Sequence, residues 1–404
     1  MKRRKRRSIF PLIVLLLICV GIMLSALWLS VKKLSVDTDI TQEVIGTLTN
    51  TEPDIPFSDL VVEETEVSPG FYYQSLTEDQ KTVYKEIFQG VRDQQEFIYV
   101  HSPDSDEIGD VFHFLLYDHP ELFWCTGEMQ LINYDTYSTL RPSYTYQGEE
   151  WQQKKAEVES AAAACLAGVS MDAPEYDKVR YVYEYIIRTV DYNMEAPDNQ
   201  NIYSALVNKA SVCAGYSRAA QYLLQKLGVE CIYAIGTIPQ QGPHAWNIVK
   251  CNGQYYQMDV TFGDPVFQQD ESSADIPADS VNYAYLCCTD DALYKNHTPD
   301  PVIVYPPCTS LDLNYYLLNG RYFDSYDGYT ILEGMNQSIY AMQPSFSCQF
   351  AGDEVYAQAR DDLINNILPQ AAQNLAAYYG LGTVWYTYLE DTDMNVFTVY
   401  WNYS

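Results

Sequence analysis

The sequence predicts an α+β fold organised around a cysteine at a helix N-terminus and a histidine and aspartate on an adjacent β-hairpin. Three stretches carry the prediction. Val212-Cys213-Ala214-Gly215-Tyr216-Ser217-Arg218-Ala219 opens a helical pattern. His244-Ala245-Trp246-Asn247 comes 31 residues after the cysteine, and Asp259-Val260-Thr261-Phe262-Gly263-Asp264-Pro265 begins fifteen after that. A mainly helical module is expected before this core and a small α+β domain after it.

The helix is read from Tyr216, Ala220, Leu223, Leu224 and Leu227 at helical spacing, with Gly228 as its stop. Cys213 then sits at or just before the first turn. Unpaired N–H groups and the positive dipole end lie there, and both favour a thiolate. A free thiol, with a pKa of about 8.5, is only slightly ionised at neutral pH and needs such help. Gly215 is expected to let a substrate backbone come close to the sulfur.

The hairpin is read from two arms, His244 to Lys250 and Gln254 to Val260, around Asn252-Gly253, a strong two-residue turn signal. Counting back from the turn pairs Cys251 with Gln254, Trp246 with Asp259 and His244 with Thr261. His244, Trp246 and Asp259 therefore share a face. His244 and Asp259 become diagonal neighbours at roughly 7–8 Å, within side-chain reach. Asp259 can then hold one ring nitrogen while the other faces Cys213.

A thiol, an imidazole and a carboxylate in this order are the parts of an acyl-transfer site. The three stretches resemble the transglutaminase-like superfamily of papain-related thiol enzymes, and in particular its exported bacterial members. The resemblance rests on V-C-x-G-Y-[AS]-R at Val212–Arg218, H-A-W-N at His244–Asn247 and D-x-T-[WF]-x-D-P at Asp259–Pro265. It implies a transglutaminase-like, papain-like core with Cys213 as nucleophile, His244 as general base and acid, and Asp259 as the orienting carboxylate. Gly215, Tyr216 and Trp246 are candidates for the substrate cleft. Phe262 stands where many relatives carry Trp.

Taken in order, the chain opens with six basic residues, 2 to 7, followed by 23 uncharged ones from Ile9 to Val31. That is enough for one membrane-spanning helix. The charge bias puts the N-terminus in the cytoplasm and the remainder outside. Secretion after signal cleavage is the alternative. After Lys33 there are sixteen basic and 54 acidic residues, a formal charge of −38. Such a surface repels phosphate backbones, so no nucleic-acid partner is expected. Five segments are expected: a basic tip and anchor over 1–34, an acidic tether over 35–69, an accessory module over 70–170, the core over 171–300 and the C-terminal domain over 301–404.

Within the accessory module, Thr77 and Gln80 form a capping box for a helix that buries Val83, Tyr84, Ile87, Phe88 and Val91. A second helical stretch covers Asp110 to Tyr117, strand-like runs lie around Met129–Tyr134, and an alanine-rich helix covers Glu149 to Leu166. The core opens with an amphipathic helix over Pro174–Val190. A strand over Val229–Gly236 and a loop over Ile238–Pro243 deliver His244. Val281 to Cys288 reads as a buried segment, and His297 is a secondary site candidate. The C-terminal domain alternates strand and helix signals and ends in a tyrosine-rich hairpin around Asp391–Asn395.

Ten cysteines suit disulfides in an exported protein. Eight remain once Cys19 and Cys213 are set aside. No paired-cysteine or HExxH spacing supports a metal, and no P-loop or GxGxxG supports a nucleotide, so no metal and no cofactor are expected. The expected activity is extracytoplasmic acyl transfer on a peptide or carboxamide bond of a protein or cell-wall peptide. Hydrolysis by a peptidase or amidase is favoured over amine transfer by a transglutaminase. The alternative is a non-catalytic binding or scaffold module at the cell surface.

Overall fold

The computed structural model describes residues 57–265, 276–277 and 279–403. The anchor expected over residues 9–31 and most of the tether lie outside the described residues. Among the described residues no helix is long and apolar enough to cross a membrane. The last part of the expected tether is structured. Glu64–Val67 is a helical turn with a capping box between Glu63 and Glu66, and Val67 is fully buried. Glu64 and Glu66 also pair with Lys85 (2.6 Å) and Arg92 (3.1 Å), which ties this polar stretch to the helix that follows.

The first module contains helix α1 (Glu78–Arg92), capped by Thr77 and Gln80, and buries the five apolar residues its periodicity marks. Helix α2 spans Ser105–Asp118 and α3 spans Gly148–Leu166. Beside these helices the module holds a small sheet that includes the strand-like run expected around Met129–Tyr134. Strands β1 (Ile98–Val100), β2 (Cys125–Asn133) and β3 (Ser138–Tyr144) form an antiparallel sheet in the order β1-β3-β2. From Ser58 onward the chain forms one unit, and one apolar cluster joins Ile87, Phe112 and Trp124 of this module to Tyr183, Leu223 and Val249 of the next.

Helix α4 (Glu175–Thr189) buries Val179, Val182, Tyr183, Ile186 and Ile187. It leads into a two-stranded parallel pair, β4 (Asp191–Tyr192) and β5 (Ala210–Ser211), which ends two residues before Cys213. Helix α5 (Cys213–Lys226) follows, with its chain stop at Gly228 (φ 74°). It packs on an antiparallel sheet of β6 (Cys231–Ile238), β7 (Gly242–Cys251), β8 (Gln254–Met258) and β9 (Thr298–Pro299), in the order β8-β7-β6-β9. The stretch expected as a loop before His244 is a tight turn with positive φ at Gln240 and Gly242.

One face of this sheet meets α5. Ser217 Oγ donates to the Ala245 carbonyl (2.9 Å), and Asn247 Nδ2 donates to the Ser217 carbonyl (3.0 Å). Residues alternate across a strand, so His244, Trp246 and Ile248 point to the other face. A second apolar cluster fills that side with Trp246, Ile248, Phe262, Tyr285, Met394 and Val396.

The C-terminal part holds helices α6 (Gly328–Tyr340), α7 (Asp353–Asp362) and α8 (Leu368–Tyr379) against a sheet. Its strands are β10 (Tyr322–Phe323), β11 (Ser345–Phe350), β12 (Trp385–Asp391) and β13 (Val396–Asn402), in the order β10-β11-β13-β12. Helix α6 has no counterpart in the sequence reading. Two glycines dilute its pattern, and one of them, Gly334, leaves space for the Phe346 ring.

Candidate active site

Val212 is extended (φ −118°, ψ −177°), and the helix begins at Cys213. The thiol therefore lies at the first turn, where intrahelical bonding leaves N–H groups free for another acceptor. Of the nine cysteines among the described residues, eight are buried and only Cys213 is partly exposed. None of the nine is in a disulfide, so the pairing expected for an exported chain is not seen among them. Burial pushes the Cys165 thiol up to about 11 and the Cys348 thiol to about 12, chemically inert at neutral pH.

The hairpin register is the counted one as far as the ladder runs. Cys251 faces Gln254, and Asn247 faces Met258. Asn252 and Gly253 both take the positive φ that a two-residue turn of this kind demands. Asp259 is the first residue beyond the ladder. Its N–H donates to the Tyr285 carbonyl (3.0 Å), and its Oδ1 accepts from the N–H groups of Thr261 (2.8 Å) and Phe262 (3.0 Å). Its Oδ2 lies 2.6 Å from His244 Nε2. A carboxylate only accepts, so this nitrogen carries a proton and Nδ1 is the ring nitrogen left for the sulfur.

Cys213 lies within interaction range of the His244 ring. Burial works against a charged His244, but the Asp259 carboxylate and the Cys213 thiol outweigh it and raise the imidazole to about 10. Burial likewise opposes the charge on Asp259. The charges and N–H donors of His244 and His297 overcome it and hold the carboxyl well below its usual range.

The structure thus brings Cys213, His244 and Asp259 together and removes the three cleft candidates from the cleft. A Cβ on Gly215 would overlap Ser211 Oγ and press on the Asn199 carbonyl at 3.0 Å, so the glycine serves internal packing, not substrate approach. Tyr216 is fully buried and donates its hydroxyl proton to the Val190 carbonyl. Trp246 is fully buried beneath the histidine, its ring stacked 6.2 Å from that of His244. Its Nε1 donates to Gln257 Oε1 (2.8 Å). Other side chains lie nearby. Tyr192 and Tyr233 are both within electrostatic reach of Cys213, and the Arg218 guanidinium lies 4.9 Å from the Tyr233 ring centre. Only Arg218 was visible within a motif.

His297, rated secondary from sequence, is fully buried beside the site, with Nε2 2.8 Å from the same Oδ2 of Asp259. Together with His244 and Asp259 it forms a group whose donor atoms lie within 4.8 Å of one another, compact enough for a metal ion. The distances argue for hydrogen bonds. Ligands bound to one zinc ion at about 2.0–2.1 Å in tetrahedral array stand more than ~3 Å apart. Both nitrogens here are closer to the oxygen than that.

Residues 162–260 match the core model of the transglutaminase-like superfamily, a stretch containing Cys213, His244 and Asp259. Three solved structures are similar at low identity. A TGase is 15% identical with a TM-score of 0.26, over 45% of this chain and 54% of that one. A candidate cysteine protease from Cytophaga hutchinsonii is 14% identical with a TM-score of 0.24, over 34% and 63%. Menin, described with its binding site for the Mixed Lineage Leukemia protein, is 14% identical with a TM-score of 0.25, over 75% and 66%. The chain therefore covers less than two thirds of the first two, and at these scores the likeness carries no argument. No curated protein matches the chain. The class supported is a transglutaminase-like domain over residues 162–260.

Proposed function

We propose that the protein is a thiol acyl-transfer enzyme using Cys213, His244 and Asp259, acting on a peptide or carboxamide bond of a protein or cell-wall peptide. The observation that carries this is the convergence of the cysteine that alone is partly exposed among the described residues with a histidine whose far nitrogen is bound 2.6 Å from a buried carboxylate.

In the proposed sequence, His244 Nδ1 takes the thiol proton and the sulfur attacks the carbonyl carbon. Negative charge moves to the oxygen, which the first-turn N–H groups of α5 are placed to receive. The C–N bond then breaks as His244 returns its proton to the leaving amine, giving a thioester. Water, deprotonated by His244, attacks that thioester and releases the acid and the thiol. An amine in place of water would give transfer. Hydrolysis is the reading adopted, because water needs no binding site of its own. The same proposal takes residues 2–31 as an anchor and puts the reaction on the extracytoplasmic side.

The test is to incubate the full-length chain with glutamine-containing and cell-wall stem peptides, with and without a primary amine. Mass spectrometry would follow the thioester on Cys213, ammonia or peptide release, and amine incorporation. Acid release with oxygen from labelled water is expected, absent in Cys213→Ala. Dominant amine incorporation would replace hydrolysis by transfer. No thioester on Cys213, together with an iodoacetamide profile like that of a free thiol, would end the enzyme reading.

A further inference from the structure

His297 reaches the site by a route independent of the hairpin. Its backbone N–H caps the helical turn Asp290–Leu293 at the Leu293 carbonyl (3.1 Å), and Thr298 and Pro299 then pair with β6. The pairing places Pro299 opposite Gly236, whose other neighbour is His244. Nothing but glycine fits there, since a Cβ would run into the Thr298 carbonyl and the Trp246 ring. The two histidines thereby meet at one carboxylate oxygen, Asp259 Oδ2, with ring centres 5.2 Å apart.

The hydrogen bonds define the charge. Asn296 Nδ2 donates to Asp393 Oδ2 (2.8 Å), which fixes the amide so that its Oδ1 faces His297 Nδ1 (2.5 Å). Oδ1 accepts, so Nδ1 donates; Nε2 donates to Asp259. An acceptor thus faces each ring nitrogen, a geometry that suits the imidazolium form. Asp259 then receives four N–H groups, two on each oxygen, which fills its accepting capacity. With His244 and His297 both charged, the buried set is neutral only when Cys213 is the thiolate. The other charged or titratable groups facing His297 are Tyr285, whose ring lies 6.4 Å away, Asp393 through Asn296, and Asp391 beyond Tyr285. Phe262 and Trp246 close the remaining sides.

We propose that His297 is a positioning residue of the thiol site: acting through Asp259, it fixes the oxygen that orients His244 and supplies the positive charge that balances the Cys213 thiolate. This rests on the thiol-enzyme reading and deepens it. Removing a cation from the set makes the potential at the sulfur more negative, so the thiolate becomes harder to form. A space-filling role would leave the ionisation of Cys213 unchanged as long as the fold holds.

The experiment is iodoacetamide alkylation of Cys213 in the full-length chain from pH 4 to 9, read by peptide mass spectrometry, with near-UV circular dichroism on the same samples. The wild-type midpoint is expected well below the ~8.5 of a free thiol. His297→Phe should move it upward by about one pH unit, which is ~10-fold slower alkylation on the acid limb. His297→Gln keeps an N–H donor without the charge and should fall between. A wild-type midpoint near that of a free thiol, unaffected by His244→Ala, would sink the thiol reading itself. A depressed wild-type midpoint that folded His297→Phe leaves in place would overturn the role of His297 alone. If the Phe variant does not fold, an unshifted Gln variant overturns it equally. A wild-type profile that changes with EDTA or added zinc would make the three side chains metal ligands and also overturn the proposal.

Discussion

His244 and Asp259 stabilise the fold over opposite pH ranges. The Asp259 carboxyl is depressed in the folded state, so its contribution is present above the ordinary carboxyl range and lost only in strong acid. His244 is raised to about 10, so its contribution is complete below about 6.5 and drains away as pH climbs toward 10. Thermal unfolding of the wild type should therefore lose several degrees between pH 6.5 and 10, and His244→Ala should show a flatter profile. Parallel profiles would mean the imidazole is neutral in the fold. Asp118 has the reverse sign. Burial raises it to about 6, although it accepts from the N–H groups of Tyr72 and Tyr73 and from the Tyr84 hydroxyl. The folded state binds this proton more tightly than the unfolded chain does, so the contribution is full in acid and is lost as pH rises from about 4 through 6. Asp118→Asn should flatten that slope and cost about 1–3 kcal/mol in urea unfolding, because one acceptor oxygen cannot serve three donors.

Two glycines govern how the elements meet at the site, and only one was interpretable as a site residue from sequence. Gly215 lies in a motif and reads naturally as a concession to substrate, yet its missing Cβ accommodates Ser211 and the Asn199 carbonyl. Gly236 carries no sequence signal at all. Its constraint comes from the Thr298 carbonyl, 62 positions away. Gly236→Ala should break the β6–β9 pairing and displace His297, since the obstacle is backbone. Gly215→Ala meets mainly a hydroxyl, and adding Ser211→Ala should recover part of the loss. Urea unfolding of the two single variants and the double variant gives the coupling. If Gly215→Ala and Ser211→Ala add independently, the overlap is not what constrains the helix start. The same contrast explains what was legible. The turn Asn252-Gly253 sets a short-range register that counting recovers, so His244 and Asp259 could be placed. Tyr216 and Trp246 stand in the same motifs as the site, and motif membership does not distinguish a side chain beneath a site from one lining it. His297 depends on a two-residue edge strand, too short to leave any periodicity.

At the scale of the molecule, the C-terminal part braces the site. Its last hairpin contributes Asp391 and Asp393, which take hydrogen bonds from Asn282 (3.0 Å) and Asn296 (2.8 Å). It also contributes Met394 and Val396 to the cluster around Trp246 and Phe262. The hairpin is held in turn by Arg360, which grips Glu390 with two bonds of 2.6 and 2.8 Å. Composition alone could not show this. The alternating strand and helix signals predict an α+β segment, to which the structure gives a core around Ile331, Phe346 and Phe397, but a cluster assembled from Tyr72, Trp246, Tyr285 and Met394 leaves no local pattern in the sequence. Met394 is almost fully buried and lies far along the chain from Cys213. Met394→Ala should cost about 2–5 kcal/mol by leaving a cavity. Because that cavity opens in the cluster that also holds Phe262 and Trp246, alkylation of Cys213 on the acid limb should slow as well. Ile331→Ala, fully buried in the separate C-terminal cluster, should cost a similar amount and leave the Cys213 profile where it was. Equal effects of the two on the thiol would mean that only global stability is felt at the site. An effect confined to Met394 would make the hairpin part of the machinery that holds His297 and Asp259 in place.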